Sequence, residues 1–232
     1  MWSSCDAGPL MLDWSYRLSD FLLFSPRVYW RLFELYNAAL WPLPLLTLAL
    51  GIAALALTIL RPQQSGWPIA ILLAVLWAWV DWSFVWERYA TINWTAAYAA
   101  PLFAIEVLLL VIVGLNRLAF EPRGVRGLVG VLLVALALGY PLLAPLFGRP
   151  WQGIEVFGIA PDPTAIATLG FLLMARGRSV LVLYPIPLLW CLMSGLTLWA
   201  MADAEAWILA IALAVLPLAH AFAKARPTSR IG

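Results

Sequence analysis

Charge is what this sequence has least of. Asp, Glu, Lys and Arg make up only 11% of its 232 residues and hydrophobic side chains 64%, where a soluble domain carries about 25% charged residues. With a mean hydropathy of +0.92, a water-soluble domain is excluded and a polytopic membrane protein is expected. Histidine is nearly absent: His220 stands alone, so neither a bis-histidine haem nor a histidine-based zinc site can form. The single lysine, Lys224, falls near the C-terminus, which rules out a mid-membrane retinal Schiff base. The two cysteines, Cys5 in the N-terminal tail and Cys191 within an apolar run, lack metal-ligand spacing and are not expected to pair. No nucleophile–base pair and no metal set stands out, so no enzyme is expected and no cofactor is called for. The basic residues are scattered between apolar segments, which excludes a nucleic-acid face. Met1–Asp13 has no basic n-region and carries Asp6 and Asp13, so it does not read as a signal peptide; insertion through the first span is expected.

What the chain does have is apolar runs of membrane-spanning length, about 20 residues each. They predict an all-α, polytopic transmembrane helix bundle of seven spans with an N-terminal interfacial amphipathic helix. Residues 1–37 form the tail and that helix. Within 14–37, Ser25-Pro26 offers a cap and first helical position; Val28, Leu32 and Leu35/Tyr36 then recur opposite Arg27, Arg31 and Glu34, the pattern of a helix in the interface. Residues 38–223 form one transmembrane bundle with spans at about 38–60, 67–86, 94–115, 127–147, 157–175, 180–201 and 206–223. The fifth is short and preceded by a loop. A basic tail, 224–232, follows. The loops are too short for a second domain, and no internal repeat aligns.

Loop charge gives an orientation. If all seven segments cross, the side holding 61–66, 116–126, 176–179 and the C-tail has nine basic residues against five. That places the N-terminus outside and the C-terminus in the cytoplasm. If the fifth segment dips in and returns, the split is ten against four and both termini lie inside. Seven crossings are preferred because Phe157–Ala160 extends the fifth segment.

Two carboxylates sit inside spans: Asp81 in WAWVDWSFVW and Glu106 in AAPLFAIEVLLL. An ionisable group at membrane depth costs ~2.5–3.5 kcal/mol on insertion scales and normally faces the bundle interior. Glu106, near mid-membrane, suits proton-coupled transport; the plainer reading is a neutral acid bonding across helices. Asp81, near Glu87 and Arg88, reads more readily as an interface residue. Trp77, Trp79 and Trp82 are candidates for an aromatic pocket around Asp81, with bulky packing the plainer reading. Asn93, between the second and third spans, joins the candidate polar path. At PDPT, Asp162 at N-cap and Pro163 at N1 would start a helix, with Thr164 and Thr168 on one face. Half helices of this kind form transporter sites, and Asp162 would favour a cation or proton over an anion. A capped helix after an ordered loop is the plainer alternative.

Tyr36-Asn37, Ala39, Trp41-Pro42, Trp77-x-Trp79, Ile92-Asn93 with Ala96-Ala97, Tyr140-Pro141, Phe157-Gly158, Pro161-x-Pro163-Thr164 with Thr168 and Gly170, and Ile186-Pro187-Leu188-Leu189-Trp190 occur in a fairly specific order. On these residues the chain resembles an uncharacterised bacterial integral-membrane family, a domain of unknown function, over nearly its whole length from about residue 30. The resemblance implies a bacterial plasma (inner) membrane location and supplies no activity. Members similar to this chain typically carry a cysteine where Asp162 stands, which counts against a thiol or metal role at the turn.

Two functions are expected from the residues. One is a small transporter or channel-like protein with a polar path through Glu106, Asp81, Asn93, Asp162, Thr164 and Thr168. The other is a non-catalytic accessory or scaffold subunit, packing against other membrane subunits in the lipid bilayer.

Overall fold

A computed structural model describes residues 22–115 and 118–225. The N-terminal tail with Cys5, the first part of the 14–37 segment and most of the basic C-tail lie outside the described residues. The described chain is α-helical apart from two short strands. We label the helices α1 (Pro26–Leu40), α2 (Leu43–Leu60), α3 (Gly66–Ile92), α4 (Trp94–Leu115), α5 (Gly124–Leu146), α6 (Pro161–Met174), α7 (Arg178–Ala200) and α8 (Ala206–Ala225). Five of them, α2, α3, α4, α5 and α7, are long and apolar enough to cross a membrane.

Several expected boundaries move, each for a physical reason. The first span was expected to run unbroken from residue 38. Residues 38–40 instead end α1, and Trp41-Pro42 separates it from α2, because a proline after the turn removes a helical donor. Ser25 does cap α1, accepting from the Val28 N–H. The buried face of α1 is Tyr29, Phe33 and Tyr36 rather than the aliphatic stripe, and Val28 and Leu35 are exposed. The second span does not stop at Trp86. Glu87 and Arg88 read as loop residues, yet they lie in a π-helical stretch, Asp81–Tyr89, within which Arg88 donates to the Ser83 carbonyl. Helix α3 therefore reaches Ile92, and only Asn93 separates it from α4.

The centre of the molecule is α6. All 14 of its residues are buried, and it packs against α3, α5, α7 and α8. A fully buried helix gains little from an amphipathic pattern, which is why PTAIATLGFLLM shows none. Its contact with α5 is close enough for backbones to meet: a Cβ on Gly130 would sit 2.6 Å from the Gly170 carbonyl oxygen. Such glycine contacts are the membrane means of bringing two helices together. After α6, strand β2 (Ala175–Arg176) pairs antiparallel with β1 (Ala119–Phe120). Strand β1 precedes α5, so α6 returns the chain to the end of the bundle where α5 begins. The opposite end is covered by α1 and by residues 147–160.

Candidate functional site

The site is built where residues 154–160 turn back into the bundle and α6 begins. Glu155, Val156, Phe157, Gly158, Ile159 and Ala160 are all buried. Asn37 on α1 pins the segment by donating to the carbonyls of Gln152 and Ile154, at 2.8 and 2.7 Å. Gly158 has φ +77°, a left-handed conformation open to glycine, and its N–H donates to Thr164 Oγ1 at 2.8 Å.

Helix α6 starts two residues earlier than the sequence indicates. Ala160 is the N-cap and Pro161 the first helical residue, so Asp162 is not the cap. Pro161 itself suits the first helical position, and α7 draws the Asp162 carboxylate away from its own backbone. Asp162 Oδ1 accepts from Trp190 Nε1 and Oδ2 from Ser194 Oγ, both at 2.7 Å. Those donors stand four residues apart, on one face of α7. Asp162 also lies in the first turn of α6, where the helix dipole favours negative charge.

Glu155 is the unusual group. It is 1% exposed, and neither carboxylate oxygen has a hydrogen-bond partner. Burial, then the nearby Asp162 charge, holds its carboxyl well above the usual glutamate range, with Asp203 adding to the effect and Arg149 opposing it. Tyr29 and Tyr140, both buried, lie in the field of Glu155 and Asp162. The Tyr140 hydroxyl is unpartnered. Among the described residues Arg149 is the one cation that bears on Glu155, and it is already engaged. Its guanidinium lies 3.4 Å from the centroid of the Trp30 ring and pairs with the buried Glu205. The cluster therefore holds more potential negative charge than positive, and it can accept a proton or a small cation. No group of three or more His, Cys, Asp or Glu among the described residues is placed to hold a metal ion, so a multidentate carboxylate cage is not what the cluster offers.

One family model, described as Family of unknown function (DUF6064), matches residues 26–230. The chain belongs to that family. No curated protein and no solved structure matches it. The DUF6064 match begins at the first residue of α1 and takes in every helix described here, with Glu155, Asp162, Trp190 and Ser194 inside it. The resemblance to an uncharacterised family carried by the Tyr36-Asn37 and Pro161-x-Pro163-Thr164 motifs is thus borne out at the level of the family.

The residues singled out in the sequence of this DUF6064 member take different places in the fold. Asp162 belongs to the cluster. Thr164 and Thr168 are near it but committed: Thr164 donates to the Ala160 carbonyl, and Thr168 donates to the Thr164 carbonyl while accepting from Trp77 Nε1 at 2.9 Å. Trp77 is therefore a buried strut between α3 and α6, whereas Trp79 and Trp82 face outward, 37% and 62% exposed. Asn93 accepts from the Thr95 N–H and starts α4. Asp81 lines a recess with Trp82, Trp86 and Pro101, which Asp162 does not line. Glu106 is fully buried with both oxygens unpartnered, one turn beyond Phe103, or about 4.5 Å along α4. The Phe103 ring packs edge-on against Trp77 and Trp190, at 4.5 and 5.0 Å between centroids. No hydrogen bond joins Asp162, Asp81 and Glu106 among the described residues.

The sequence reading missed Glu155, Arg149 and Glu205 because they lie outside the apolar runs, where a charged residue attracts no suspicion. Trp190 and Ser194 did leave a signal: two donors four residues apart on one face of a largely apolar helix, a spacing suited to one buried acceptor.

Proposed function

We propose that this integral membrane protein is a small transporter or channel-like protein whose proton or cation site is the interior carboxylate pair Glu155 and Asp162. The observation that carries the reading is Glu155, buried with both oxygens unpartnered and within the electrostatic field of a second carboxylate, Asp162. A group in that state is costly unless something positive joins it. Its setting, a buried stretch of irregular chain leading into a short helix, is like the unwound segments whose backbone lines ion sites in secondary transporters. We read the chain as seven crossings of a bacterial inner membrane, with residues 157–175 forming the fifth and α8 the seventh. The excess of arginine at the β1–β2 end supports a cytoplasmic C-terminus.

Proton and monovalent-cation flux into proteoliposomes holding the full chain tests this. Flux that is present in the native protein and lost in both Glu155→Gln and Asp162→Asn supports the site. Equal flux in those variants refutes it. Absence of flux together with stoichiometric partners in mild detergent would favour the accessory-subunit reading instead.

A further inference from the structure

The aliphatic stripe of α1 has no role in the carboxylate cluster and does not enter the core. Val28 and Leu35 are 43% and 57% exposed. With Leu32 they form one wall of a groove of about 610 Å³, which Ile92 and the last turns of α3 close on the other side. That volume lies within the ~300–1,000 Å³ typical of small-molecule sites. Its rim is cationic. Arg27 and Arg31 stand four residues apart on α1, and Arg88 faces them from α3. Arg31 pairs with Glu34, and Arg88 lies 3.7 Å from Glu87 with its guanidinium 4.5 Å from the centroid of the Tyr36 ring. No carboxylate among the described residues pairs with Arg27. Three guanidiniums thus face two carboxylates, around walls that are otherwise aliphatic.

We propose that this groove binds an anionic phospholipid, its acyl chain along Val28, Leu32 and Leu35 and its phosphate bridged by Arg27 and Arg31. Charge and depth both support that occupant. A phosphodiester offers negative charge to Arg27, which no described carboxylate pairs, and arginine engages phosphate oxygens through two parallel N–H donors. The groove lies at the end of α3, just past Trp82 and Trp86, which are 62% and 53% exposed. Outward tryptophans mark the headgroup level of a bilayer, so the guanidiniums sit at the depth of lipid phosphates and the stripe faces the acyl region. The inference does not depend on the Glu155 site.

The test uses the full chain in mild detergent with added phosphatidylglycerol or phosphatidylcholine, and native mass spectrometry to count retained lipid. The native protein should retain phosphatidylglycerol in preference. Each of Arg27→Gln and Arg31→Gln should weaken retention by about fivefold, the worth of one basic residue near an anionic surface, and Arg123→Gln at the other end should leave it unchanged. Leu35→Trp fills the groove without altering charge and should also expel the lipid. All four variant sites are exposed, so melting temperature serves as a fold check. Equal retention of the two lipids, a preference that survives Arg27→Gln with Arg31→Gln, or a photo-crosslinker at Leu35 that captures protein in place of lipid overturns the proposal.

Discussion

Trp190→Phe tests how Asp162 is held. The substitution keeps an aromatic ring against Phe103 and Tyr89, whose centroids lie 5.0 and 6.4 Å away. It removes only the indole N–H that donates to Asp162 Oδ1 at 2.7 Å. Indole is a donor alone, so the bond cannot be replaced by a reversed one. A hydrogen bond to a charged group contributes about 1.5–3 kcal/mol, and stranding a buried acceptor costs a similar amount. Asp162 is 1% exposed, so solvent cannot make good the loss, and Trp190→Phe should destabilise the bundle by roughly 2–3 kcal/mol. Packing lost with the smaller ring would mimic that figure, so the deciding measurement is a double-mutant cycle with Asp162→Ala. Unfolding in mixed micelles of increasing denaturing detergent, followed by circular dichroism, supplies the four free energies. With Asp162 absent the Trp190 donor is itself stranded, so its removal should then cost little. The coupling should be about 1.5–3 kcal/mol. If Trp190→Phe costs the same in both backgrounds, the bond is not what holds the carboxylate, and the account of the α6 mouth is wrong.

Other outcomes follow from the same geometry. Gly170→Ala places a Cβ 2.8 Å from the Gly130 carbonyl oxygen, and overpacking of about 1–3 kcal/mol should appear as a lower melting temperature in detergent. Thr168→Val strands the buried Trp77 N–H, which now donates at 2.9 Å, and should cost about 1–3 kcal/mol in the same unfolding assay. Arg149→Gln leaves the fully buried Glu205 without its partner; breaking a buried pair in this way costs about 3–5 kcal/mol, and expression of folded protein should collapse. Because Glu155 is held above the usual range by burial and by Asp162, its contribution favours folding most at low pH. That contribution is lost as pH rises from the unfolded glutamate value through the native one. Glu155→Gln should therefore flatten the fall in stability with rising pH, measured by thermal unfolding across that window.

Much of the fold was legible because hydrophobic length is a direct reading of bilayer thickness. The α4 limits, Trp94 and Leu115, fall where the apolar run starts and stops, and Ser25-Pro26 starts α1 as its chemistry dictates. Legibility failed where a local rule met tertiary contacts. Asp162-Pro163 carries a good capping signature, but Trp190 and Ser194 compete for the carboxylate, and Pro161 serves equally well to open the helix. Trp41-Pro42 interrupts a hydrophobic run that composition alone reads as continuous. The site was legible only in part. Asp162 stood out because it stands between two prolines at the start of a short apolar helix. Glu155 did not, because it lies in a stretch, residues 148–161, that reads as a partly buried loop outside the apolar runs, and only the fold carries its side chain fully into the core.

The most direct measurement is the carboxyl infrared spectrum of the reconstituted protein, recorded as a difference on raising pH or adding a monovalent cation. The account predicts a protonated-carboxyl band that diminishes under either change and is missing from Glu155→Gln. A band that ignores both changes, or one that persists unaltered in Glu155→Gln, would contradict it.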